Sequence, residues 1–305
     1  MNDTTTTTTN MTQTAPEIDT PSISSSALLV ELSIPTWSAR KQDKKASEAV
    51  TQQHQAKRGS ARVNKDLLHD AETLKAVQKF ASESRAVHYS MTLPWSGSLA
   101  IIPTAQYFEY NNTMTGRQTE FYDLVQKFLD DYDWQLTQAQ VSLGSLFVAD
   151  EYPTVEQVRH KFGFHLHYFP VPEAGDFRVD LGNEAQQQLK EHYNSFYKNQ
   201  MQDSMKHLWR QLYDALARMS ERLDYSEGEK KKIFRDTLVE NVVEVVDMLS
   251  SFNLTGDSQM EQMRLRLEEA LRGVTADGLR EDDYFRRETK RKVDEAIKNL
   301  PSLGV

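Results

Sequence analysis

The longest regular pattern of apolar and polar positions runs from Asn183 to Leu223, forty-one residues without proline or glycine. Leu189, Tyr193, Phe196, Met201, Met205, Leu208, Leu212, Leu216, Met219 and Leu223 recur mostly three or four apart, which lines one side of a helix. At 1.5 Å per residue that helix is a rod about 60 Å long. A single helix cannot cover its own stripe, so the pattern requires neighbouring helices or a second copy to close this seam.

Upstream, 27–34 is a short apolar run ending at Pro35 and reads as a strand. Residues 36–56 read as a helix capped by Thr36 or Ser38 with Trp37 as its anchor, and Gly59 breaks it. A second helix is expected over 63–89, with Val63, Leu67, Leu74, Val77, Phe80 and Val87 on one face. Leu99 to Pro103 reads as a short strand, followed by a turn at Asn111-Asn112. A further helix is expected over 118–147 and a shorter one over 153–162. Residues 162–169 alternate with a period of two, as do 177–181, which predicts a β-hairpin. Beyond the rod, helices are expected over 229–252, 257–271 and from Asp282 or Asp283 to about 300.

The expected fold is mainly α: an elongated bundle of long antiparallel helices with a small β-hairpin element. Residues 1–26 carry nine threonines and no aromatic, and read as a disordered tail. Residues 27–182 read as a helical domain with a small β insert, and 183–305 as a long-helix region.

The chain has no cysteine, which excludes thiol nucleophiles, disulfides and cysteine-held metals, and fits a reducing cytoplasm. Its start has neither the basic nor the apolar region of a signal peptide, and no apolar run approaches the ~20 residues that span a bilayer. A soluble cytoplasmic protein is expected, in host cytoplasm if phage-encoded.

The net charge of −9 is unevenly spread. Residues 38–92 carry eleven Lys or Arg against six Asp or Glu. Arg40, Lys41, Lys44, Lys45, Lys57, Arg58, Arg62 and Lys65 beside Trp37 form a basic arm that could meet single-stranded nucleic acid or an acidic protein surface. A solvated helix face explains the same residues.

Candidate chemistry is sparse. His165 and His167 are alternate residues of an expected strand and so share a face, as a metal site needs, but no third ligand is evident. Asp130, Asp131 and Asp133, and Glu281-Asp282-Asp283, are acidic clusters that suit a solvated surface. No phosphate-cradling glycine motif and no Gly-x-Ser-x-Gly frame occurs. No cofactor is expected.

The segments Leu32-Ser33-Ile34-Pro35-Thr36-Trp37-Ser38-Ala39-Arg40-Lys41-Gln42-Asp43-Lys44, Tyr89-Ser90-Met91-Thr92-Leu93-Pro94-Trp95 and Asp176-Phe177-Arg178-Val179 resemble an uncharacterised family of tailed phages and bacterial mobile elements, a domain of unknown function. The resemblance covers about residues 28–223 and supplies no catalytic residues. It implies a gene neighbourhood with MoxR-type AAA+ ATPases and von Willebrand A-type proteins, and hence a partner. The readings that follow are a non-catalytic assembly protein, binding itself or such an ATPase; a single-strand binding or annealing protein using the arm; and a metal-dependent hydrolase using His165 and His167.

Overall fold

The computed structural model describes residues 23–68, 70–172, 183–225, 235–254 and 256–301. A one-turn helix α1 (Ile23–Ser26) leads into the strand β1 (Ala27–Ser33), which lies inside a four-stranded antiparallel sheet of order β4-β5-β1-β6. Its partners are β5 (Leu99–Pro103) on one side and β6 (His165–Pro170) on the other, with β4 (Leu93–Ser96) at the edge. Pro94 is tolerated there because an edge strand leaves one row of ladder positions unused.

Register decides which side chains face which helices. Leu29 sits opposite Ile101, and Ile101 opposite Leu93, so these three share a face. That face buries against the rod α6 (Asn183–Leu223) and the helices α7 (Thr237–Ser251), α8 (Ser258–Leu271), α9 (Ala276–Glu281) and α10 (Asp283–Lys298). Val30 sits opposite Ala100 and Tyr168 and faces the other way. There the cover comes from α3 (Glu72–Met91) and the 37-residue α4 (Tyr107–Leu143). The fold is thus mainly helical, with a small antiparallel sheet between two sets of helices.

The rod is a single helix as its spacing predicts. Leu208, Leu212, Leu216 and Met219 are wholly buried, and Met201 nearly so. Met205 is partly buried against the same cluster. From Met201 to Leu223 the seam is therefore closed within the chain, by α7, α10 and the sheet. Tyr193 is half-buried and Phe196 is exposed. At its far end α10 inserts the buried Arg286, whose guanidinium lies 3.8 Å over the Tyr225 ring and donates to the Tyr225 carbonyl at 3.3 Å.

Several expectations are corrected. Residues 36–56 are not one helix: Ala39 adopts φ 50°, β2 (Arg40–Asp43) follows, and Asp43 rather than Thr36 or Ser38 caps α2 (Lys44–Gln53), accepting from the Ala46 amide at 2.9 Å. The helix expected from residue 63 starts with β3 (Val63–Asp66), which pairs with β2, and α3 begins only at Glu72. These strands are short, mostly polar segments without the apolar alternation that would announce them. The turn expected at Asn111-Asn112 lies inside α4, because Tyr110, Met114, Phe121, Val125 and Phe128 fall on one helical face and all bury. Packing there outweighs the local turn preference of two asparagines. The helix expected over 153–162 is the single turn and a half of α5 (Val155–Arg159), closed by a Thr154–Gln157 capping box. Residues 162–169 do contain β6, but its observed partner is β1; the second arm expected at 177–181, residues 1–22 of the expected tail, and the start expected for α7 at 229 lie outside the described residues.

A polar pair is enclosed between α3 and α4: His88 Nδ1 lies 2.6 Å from the Tyr110 hydroxyl, both side chains being buried. Burial lowers the His88 pKa from 6.5 to about 4 and raises that of Tyr110 well above its usual value. The unfolded chain therefore takes up the proton first on acidification. The stability contributed by neutral His88 is complete above pH 6.5 and is lost as pH falls towards 4. Urea denaturation at stepped pH should show this decline, and His88→Gln should flatten it; an unchanged slope in the variant would assign the acid sensitivity elsewhere.

Candidate functional site

The basic arm folds as a small unit, β2–α2–β3, set beside the loop after α4. Arg40 pairs across the ribbon with Asp66 at 2.9 Å, and Lys41 reaches Glu151 at 3.7 Å. Arg58 lies 3.4 Å from Glu48, with both side chains largely in water. Lys44, Lys45, Lys57 and Arg62 are exposed and form no ion pair among the described residues.

Lys65 departs from its expected role. Its residue is only 6% exposed; Nζ donates to the Leu146 carbonyl at 2.7 Å and forms ion pairs with Glu151 at 2.5 Å and Asp43 at 3.7 Å. It fastens the ribbon to the loop after α4 and offers nothing to a ligand. Alternation along β3 accounts for this, since Lys65 points opposite to Asn64 and Asp66. The same contact draws on the Asp43 carboxylate, which the Ala46 amide, then Lys65, holds below its usual pKa.

Trp37 is likewise not a free platform. Its ring packs 6.3 Å from Phe128 and 6.0 Å from Tyr132, and its carbonyl accepts from Gln78 at 2.8 Å. Of the nine arm residues named from the sequence, seven remain on the surface. Three of those, Lys44, Arg58 and Arg62, line one shallow groove of about 470 Å³, together with Gln42, Ser47 and Thr51.

His165 and His167 do share a face of β6, both exposed, opposite Ser33 and Glu31. His165 folds back over Gly163, where an added Cβ would lie 2.4 Å from its Nε2, so a larger residue there would push the exposed ring aside. Among the described residues no group of three or more His, Asp or Glu could hold a metal ion. In the acidic cluster of α4, Asp131 turns inward to accept from Thr73 at 3.0 Å and Gln135 at 2.8 Å, whereas Asp130 and Asp133 remain exposed.

One surface feature lies outside the residues named from the sequence. Trp134 is 58% and Val141 77% exposed, seven residues apart and so on one side of α4, with Leu146 and Val148 exposed just beyond. The signal was present: both residues fall off the stripe that buries Phe128, Tyr132 and Ala139.

A mainly helical chain with helices on both faces of a small antiparallel sheet defines the class. The model of a family described as Protein of unknown function (DUF3150) matches residues 25–290, and the chain belongs to that family. The match extends past residue 223, the expected limit, into α10. No curated protein and no solved structure matches the chain. No helix among the described residues is long and apolar enough to cross a membrane.

Replacing Lys65 with Met keeps the stem and removes the charge, leaving Asp43 and the Leu146 carbonyl without their cation and Glu151 with only the longer contact to Lys41. A loss of about 1–3 kcal/mol in denaturant unfolding is expected, while Lys45→Met, on the exposed side of the same unit, should cost under about 0.5 kcal/mol.

Proposed function

We propose that this chain is a non-catalytic phage or mobile-element protein that works by assembly, an elongated helical scaffold that binds itself or a partner such as a MoxR-type AAA+ ATPase. The observation that carries the reading is the outward face of α4, where Trp134 and Val141 stand in water on a rigid helix. Large aromatic side chains exposed on a regular element are what interface cores are made of. The seam of the rod, by contrast, is satisfied from Met201 onward, so α4 rather than that half of α6 is the surface assembly would use.

The alternative, a single-strand binding or annealing protein, draws on the unpaired cations Lys44, Lys45, Lys57 and Arg62. It lacks a stacking partner at Trp37, whose ring is engaged with Phe128 and Tyr132. A salt-steep affinity for a labelled oligonucleotide in fluorescence anisotropy would favour this alternative.

Light scattering of the purified chain should give a mass above the monomer, or the chain should co-elute with the ATPase. Trp134→Ser with Val141→Ser should abolish that association and leave the thermal midpoint within a few degrees, because neither side chain is in the core. A monomer that co-elutes with no ATPase would overturn the assembly reading.

A further inference from the structure

We infer that the β2–α2–β3 unit of one copy docks on the outer face of α4 in a second copy. The inference rests on the assembly reading and names its contact. Residues 38–66 hold eight Lys or Arg against three Asp or Glu, a surplus of five on a chain whose total is −9, which leaves −14 on the remainder. Such segregation of charge on one chain is self-complementary between copies.

Both faces are left unneutralised within the molecule. On the arm, Lys44, Lys45, Lys57 and Arg62 lack an ion pair among the described residues, and the one carboxylate lining the groove, Glu48, is tied to Arg58 across solvent. The hydroxyls at its floor are already spent inward: Ser47 donates to the Asp43 carbonyl at 2.5 Å and accepts from the Val63 amide at 2.9 Å, and Thr51 donates to the Ser47 carbonyl at 2.7 Å. The groove therefore offers a ligand mainly ammonium and guanidinium donors, which match carboxylates.

On α4, Glu120, Asp123, Asp130 and Asp133 are exposed and likewise form no ion pair among the described residues, with Lys127 the one cation between them. Glu120, Asp123 and Asp130 lie at helical spacing on the side that continues into Trp134 and Val141. The two apolar side chains supply the water-excluding centre that charge pairs alone would not. No Phe, Tyr or Trp occurs in residues 38–66, and the exposed His54 is the one ring the unit offers for stacking, which favours an acidic protein surface over a nucleic-acid strand that several rings would hold.

Charge reversal tests the contact. In sedimentation velocity at low salt, Lys44→Glu with Arg62→Glu should run as a monomer, and so should Asp123→Lys with Asp130→Lys. Mixing the two variants should restore the complex, because each then presents the sign that the other's altered face requires. Circular dichroism should be unchanged in both, as all four side chains are exposed. A wild-type monomer, variants that associate as the wild type does, a mixture without complex, or association that disappears on nuclease treatment would each overturn the contact. The assembly reading would still stand if Trp134→Ser with Val141→Ser abolished co-elution with an ATPase partner.

Discussion

The fold depends on one strand being apolar on both sides. Ala27 and Leu29 belong to the cluster that buries α6 to α10, and Val30 belongs to the cluster that buries α3 and α4. Hydrogen bonding on both edges, to β5 and β6, fixes their register, and with a period of two a slip of one residue would exchange the two faces. Ala27 for Leu28 would be a mismatch of size on either side, so β1 sets the spacing at which the two helical layers can pack. Burial of a Leu or Val side chain is worth about 1.5–3 kcal/mol, and this strand engages both cores at once.

Two helical systems follow from that partition. On one face α6 is held by a neighbour at each stage: Ser204 donates to the Pro94 carbonyl at 2.5 Å, Ser220 to Asp294 of α10, and Tyr225 stacks under Arg286. On the other, α3 and α4 enclose polar groups that satisfy one another: Arg117 donates to Ser84 at 2.9 Å, Thr92 to the His88 carbonyl at 2.8 Å, and Tyr168 to Asn111 at 3.0 Å. Such enclosed pairs specify geometry, since a group left alone there would carry its full desolvation cost.

Where helical periodicity is long and strong, the amino-acid pattern alone announces the element: the rod from Asn183 to Leu223, and the last helices capped by Asp257 and Asp282. Short polar strands are not legible in this way. Arg40–Asp43 reads as helix because its residues favour helix and no apolar alternation contradicts them; only pairing with Val63–Asp66, twenty-odd residues away, makes it a strand. The site obeys the same division. Clustering of cations on one unit can be read from composition, but the inward turn of Lys65 depends on Glu151 and Leu146, more than eighty residues distant, and no local pattern encodes that meeting. Trp37 is a parallel case, since its neighbours Phe128 and Tyr132 come from the middle of α4.

The distribution of what remains in water then carries meaning. Trp134 and Val141 are among several large side chains left in water, with Phe108 and Tyr284, but they stand seven residues apart on one side of a single long helix. Their helix is already anchored on its opposite side by Phe121, Val125, Phe128 and Tyr132, and the placement of those four fixes the angle at which Trp134 must project. A rotation of α4 that hid Trp134 would expose Phe128 and Tyr132 and unstack Trp37 from both. The exposure is therefore built in by the core itself.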